Sequence, residues 1–161
     1  MSSTIPQIDF SPFLEGGEAG KKQVAKQIGK ACREIGFFTL TDHGVSLELI
    51  QRVFDANREF HRQPLEEKEE ILISHSAHHR GYHPFSAEAT DPNAKPDLKE
   101  AFDMALELPL DDPDVKAGKP FHGPNVWPRN PPQFRKTLEE YYQALLLLGE
   151  QICRCFALDL G

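Results

Sequence analysis

Histidine is the side chain with most chemical reach in this sequence, and the densest group is His75, His78 and His79, with His83 close behind. That spacing lets two imidazoles reach one metal ion. A structural site, however, needs about four well-held ligands, and a catalytic site about three, placed by rigid elements. The surrounding stretch, Ser74 to Asp97, is rich in His, Pro, Ala and Asp and has no sustained period, which predicts a loop. Solvated loop histidines are the expected reading; a metal-binding module on these four is the competing one. His43 follows a β-prone run, where catalytic residues often sit, but Asp42-His43-Gly44 is also ordinary turn chemistry. The acidic pairs Asp111-Asp112 and Glu139-Glu140 are adjacent in sequence, so their side chains diverge and cannot share a proton. Cys153 and Cys155 lack Cys-x-x-Cys spacing and fall on a predicted buried helix, where inert packing is expected. Phosphate-loop, dinucleotide and nucleophile-elbow motifs do not occur. The residues alone therefore assign no catalytic residue and no metal ligand.

The elements that must position these groups follow from periodicity. Thr4 to Phe10 alternates Ile8 and Phe10 against polar neighbours, predicting a short strand, with Pro6 suggesting a sheet edge. Val24, Ile28, Ala31, Cys32 and Ile35 recur at helical spacing, and Gly36 suits a left-handed cap. Phe37-Phe38-Thr39-Leu40 predicts a buried strand closed by the turn at Asp42 to Gly44. Ser46 is a candidate N-cap for a helix whose inward stripe is Leu49, Ile50, Val53, Phe54 and Phe60. Pro64 to Glu70 reads as a charged helical turn on the surface.

A short extended piece is expected at Arg80 to Phe85, and Lys99 to Leu108 alternates as a strand. Pro109 to Pro132 is a long Pro-punctuated connection. The clearest helix starts at Asn130-Pro131, carries Phe134, Leu138, Tyr141, Leu145, Leu148, Ile152 and Phe156 inward, and ends near Leu158.

Bulk properties exclude several classes of function. The chain has 161 residues, 39% hydrophobic and 27% charged, enough for one globular core. A formal net charge of -7 without clustered Lys or Arg argues against nucleic-acid backbones and anionic membranes. Three cysteines without disulfide spacing suit a reducing, cytoplasmic setting. No apolar run reaches the roughly 18 residues of a membrane span, and Met1 to Phe10 has no signal-peptide pattern.

Several segments in order resemble the N-terminal region of the isopenicillin-N-synthase-like non-haem iron, 2-oxoglutarate-dependent dioxygenases. They are Ile5 to Phe10, Ala31 to Phe38 running on through Asp42-His43-Gly44-Val45, and Phe60 through Pro64 to Lys68, where Gln63 stands in place of the usual Leu. Arg80-Gly81-Tyr82, Asp97 to Asp103 and Pro124 to Pro128 complete the series. Together they cover almost the whole chain.

The resemblance implies an α+β fold: residues 1–161 form an N-terminal domain of helices and short strands that packs on a double-stranded β-helix, or jelly roll. That catalytic barrel is expected after residue 161, where the family's long helix hands over to it. It also implies Fe(II) and 2-oxoglutarate as cofactors of a complete oxidoreductase acting on a small molecule, with none expected to bind this chain. The family's iron ligands are a His-x-Asp pair and a distant His, and no His here has Asp or Glu two residues later. The chain alone is thus expected to be inactive. Arg80 and Tyr82 align with a segment lining the substrate mouth in several members, and a guanidinium there could pair with a substrate carboxylate; a surface arginine and a packed tyrosine is the alternative. An ethylene-forming or isopenicillin-N-synthase-type relative, and a short partner-binding domain without catalysis, stay open, as does the oligomeric state.

Overall fold

In the computed structural model, which describes residues 4–89, 91 and 95–161, the chain divides into two compact units, Met1–Gln51 with Glu139–Gly161, and Arg52–Leu138. The first is organised by a parallel strand pair, β1 (Gln7–Asp9) and β2 (Thr39–Thr41), in the register Gln7 to Thr39, Ile8 to Leu40 and Asp9 to Thr41. Parallel strands need a crossover. Two helices supply it, α1 (Ser11–Glu15) and α2 (Gly17–Glu34). Periodicity does not anticipate the first; Pro12 lies in its opening turn, and Asp9 Oδ1 accepts from the Ser11 backbone N–H at 2.9 Å and hydroxyl at 2.8 Å.

Helix α2 buries Val24, Ile28 and Ala31 from the stripe its 3.6-residue period predicts, together with Ala25, against Ile8, Phe10 and Phe13. Cys155 joins this core from α6 (Gln133–Leu160). Gly36 closes α2 at φ 85°, its N–H donating to Ala31 O at 2.9 Å. Two expectations fail here. Cys32 is exposed, because one step from Ala31 rotates a helical side chain about 100° off the inward face. Phe37 is 69% exposed, because pairing starts only at Thr39, and the strand predicted as buried begins two residues late and is at most half-buried. The turn after β2 is as expected, with Asp42 at φ 50° and Gly44 at φ 82°.

The second unit draws on α3 (Leu47–His61), α4 (Leu65–Glu69), a 3-10 turn at Ile73–His75, β3 (Gly81–His83), β4 (Ala101–Asp103) and α5 (Pro113–Lys116). Helix α3 starts as predicted at Ser46, whose Oγ accepts from the Leu49 N–H at 3.4 Å. Phe54, assigned inward from the sequence, is 62% exposed; Ala56 and Phe60 carry the burial in this unit instead. Strands β3 and β4 pair antiparallel, Tyr82 opposite Phe102. The core is aromatic: Phe60 stacks on Phe134 at 4.8 Å and meets Phe102 edge-on at 5.6 Å, and Phe102 lies 4.9 Å from Phe134.

The long connection after β4 is more ordered than its prolines suggest. Asp112 caps α5, its Oδ1 accepting from Asp114 N at 2.8 Å and Val115 N at 3.4 Å. Buried Asn125 both accepts from Ala105 N at 2.9 Å and donates to Ala105 O at 2.8 Å, so its side chain pairs like a strand residue. The final helix begins at Gln133, after Pro131 and Pro132, two residues later than a start at Pro131 predicts. Of the loop between β3 and β4, residues 90 and 92–94 lie outside the described residues.

Candidate functional site

The glycine of Arg80-Gly81-Tyr82 explains how its neighbours are placed. Gly81 sits at φ 117°, and a Cβ there would run into the Ile71 carbonyl oxygen. Only glycine lets β3 approach that backbone, and the Tyr82 N–H then donates to Ile71 O at 2.8 Å. Arg80 and Tyr82 are both drawn inward, at 4% and 1% exposure. Arg80 Nη1 donates to His78 O at 2.6 Å and His79 O at 3.0 Å, and Nη2 to Phe121 O at 2.7 Å. Its Nε is buried without a hydrogen-bond partner among the described residues.

Tyr82 belongs to a buried polar cluster that motif reading missed. Its hydroxyl donates to Glu100 Oε2 at 2.6 Å, and Lys68 Nζ donates to the same oxygen at 2.6 Å and to His61 O at 3.2 Å. Lys68, expected on a solvated face, is 6% exposed, with its ammonium 5.0 Å from the Tyr82 ring centre. Burial works against both charges, but the Lys68 and Tyr82 hydrogen bonds outweigh it and hold the Glu100 carboxyl below its ordinary range. Lys68 is likewise penalised by burial yet ends above its usual value through Glu100 and Tyr82. Burial, reinforced by the Glu100 carboxylate, raises the Tyr82 phenol. A hint was present in the sequence, since one Lys in the run Glu66 to Glu70 breaks an otherwise acidic segment.

Three of the four loop histidines go to separate partners. His78 occupies the space a Cβ on Gly123 would fill, His79 packs on Phe121 with ring centres 5.2 Å apart, and His83 Nε2 lies 3.0 Å from Asp103 Oδ2. His75 ends the exposed 3-10 turn. His43 lines an open groove with Ser11, Glu15 and Thr41, but its Nδ1 accepts from the Val45 N–H at 3.2 Å, as turn chemistry requires. Cys155 is buried, which pushes its thiol up to about 11, a value suited to packing rather than nucleophilic attack. Among the described residues no group of three His, Cys, Asp or Glu side chains is gathered to hold a metal. The described residues do not make a two-His-one-carboxylate iron site.

Residues 5–130 match the family model described as non-haem dioxygenase in morphine synthesis, N-terminal. The chain belongs to this family. Homoarginine-6-hydroxylase 2-ODD-C23.1 of Arabidopsis thaliana is 35% identical over 166 residues, covering 98% of this chain and 49% of the relative. The 2-oxoglutarate-Fe(II) type oxidoreductase hxnY of Emericella nidulans is 36% identical over 164 residues, covering 99% and 47%. The chain thus spans about half the length of the curated relatives it matches.

Among solved structures, a full-length Neurospora crassa protein in complex with alpha-KG and thymine superimposes with a TM-score of 0.77 at 29% identity, covering 98% of this chain and 48% of that one. A 2OG-Fe(II) oxygenase family protein of Caulobacter crescentus gives 0.81 at 26%, covering 99% and 49%. The dioxygenase N-terminal region is therefore present as a mixed helix-and-sheet structure equivalent to half of these proteins. No helix of the described residues is long and apolar enough to cross a membrane.

Proposed function

We propose that this chain is the N-terminal portion of a cytoplasmic Fe(II)/2-oxoglutarate-dependent oxygenase that couples 2-oxoglutarate decarboxylation to oxidation of a small molecule. The observation that carries the reading is the family match over residues 5–130, in relatives of which the chain covers just under half. Iron and 2-oxoglutarate would be held by the other half, a jelly-roll barrel. The present residues act as scaffold and as one side of the substrate entrance, and the chain has no oxygenase activity by itself. Arg80 and Tyr82 serve that entrance from within, by fixing β3 and the loop beside it.

Leu145, Leu146, Leu147, Leu158 and Leu160 leave much apolar area exposed on α6. Such area favours a covering partner, and the barrel is the occupant this reading assigns. The intact mass of the natively produced protein tests it. A product well above 18.2 kDa, with His-x-Asp and a later His in its added sequence and bound iron on elemental analysis, is expected. A native product at 18.2 kDa would instead favour a non-catalytic binding domain.

A further inference from the structure

The Arg80 guanidinium bonds to two strands of loop at once. On one side are the His78 and His79 carbonyls, on the other the Phe121 carbonyl, 41 residues along the chain. Both loops are in unusual conformations. His79 has φ 56° and Phe121 φ 62°, a region that bulky L-residues adopt at an energetic cost and only where surrounding contacts over-determine it. Those contacts are the guanidinium itself, the His79 ring against Phe121, and the His78 ring filling the space beside Gly123. Yet the Phe121 ring is 62% exposed. An aromatic ring that gains little from burial is being held in a strained backbone by a buried arginine.

We propose that Arg80 is a positioning residue. Its guanidinium clasps segment 119–123 to the start of β3, so that the Phe121 ring and its His79 neighbour are presented as a preformed aromatic wall of the substrate entrance. The entrance part rests on the function proposed above; the clasp does not. A guanidinium suits the task because its planar fork supplies donors to several carbonyls at fixed angles, whereas an ammonium is a single point.

Hydrogen exchange on the 161-residue chain tests the clasp without any activity. Peptides reporting the His122 N–H, bonded to Lys119 O, and the Leu108 N–H, bonded to Gly123 O, should exchange at least tenfold faster in Arg80→Ala, with α2 unchanged. Arg80→Lys should not restore protection. Millimolar guanidinium ion added to Arg80→Ala should restore it, and ammonium should not, a discrimination that a general packing role would not produce. If Arg80→Ala also speeds exchange throughout α3, Arg80→Lys becomes the decisive variant, and local loosening at 119–123 is still required. Unchanged exchange of that segment, or full protection with lysine, would overturn the clasp. In the native-length oxygenase Arg80→Lys should raise KM for the oxidised substrate severalfold while leaving kcat within twofold. A loosened loop with unchanged KM would overturn the entrance role while the clasp survived.

Discussion

The two units are built from different materials. The first packs aliphatic and small side chains, Val24, Ala25, Ile28, Ala31 and Ile8, around Phe10 and Phe13, and among the described residues none of its buried core side chains is charged. Its long-range ion pair, Arg33 with Asp159, is at the surface on the arginine side. The second unit packs Phe60, Phe134, Tyr82, Phe102 and Trp127 and also buries the polar side chains Lys68, Arg80 and Asn125. Burying cations is costly unless hydrogen bonds offset the lost hydration. Here the Lys68 ammonium and both Nη atoms of Arg80 are hydrogen-bonded, and the Arg80 bonds tie particular loops together. Loops fixed in this way are what the proposed entrance role requires.

The largest effect should come from the aromatic core. Phe60→Ala removes the ring that touches Tyr82, Phe102 and Phe134 and should cost about 4 kcal/mol, read as a lower urea midpoint for the tryptophan signal of Trp127. Glu100→Gln comes next. It leaves Lys68 buried without its counter-charge, which should cost about 3 kcal/mol, whereas the double change Lys68→Met with Glu100→Leu should recover much of that loss. A double variant no more stable than Glu100→Gln would mean that the cluster is not primarily an ion pair.

The same cluster ties the stability of the second unit to pH. Glu100 is depressed on folding, so its contribution is present above the unfolded value near about 4.3 and is lost as pH falls through the folded one. Lys68 and Tyr82 are raised. Their contributions are complete below about pH 10 and vanish as pH rises through the folded values. Tryptophan-detected stability should therefore form a plateau that falls at both ends, and the Glu100→Gln variant should lose much of the acid limb.

A smaller effect is expected in the first unit. A Cβ on Gly29 would meet the Asp159 carboxylate, so Gly29→Ala should cost about 1 kcal/mol, detectable as faster amide exchange in α2. The smallest concerns thiols: Cys32 and Cys153, both exposed, should react with a disulfide reagent at neutral pH, and Cys155 only after unfolding.

This contrast also governs how much could be read without a structure. Local periodicity carried the span of α2, the Gly36 cap, the Ser46 cap and the span of α6, because each depends on residues within a turn of one another, but two of the side chains it assigns inward on α6, Leu145 and Phe156, are exposed. It failed at Lys68 and Phe54, where tertiary partners decide burial. Lys68 is buried because Glu100, far along the chain, lies across from it. Arg80 and Tyr82 stood out by motif, but nothing in the pattern reveals that their polar atoms turn inward to Phe121 O and Glu100. The histidine run reads as a cluster only in one dimension; His78, His79 and His83 end on Gly123, Phe121 and Asp103.

The most direct test of the central claim is 2-oxoglutarate turnover. Purified 161-residue chain, supplied with Fe(II) and 2-oxoglutarate, should form no succinate above a protein-free blank, while a native-length protein carrying the downstream His-x-Asp should form it in step with substrate oxidation. Succinate produced in proportion to the 161-residue chain would contradict the account, because it would place the iron chemistry among residues that have been assigned only scaffold and entrance.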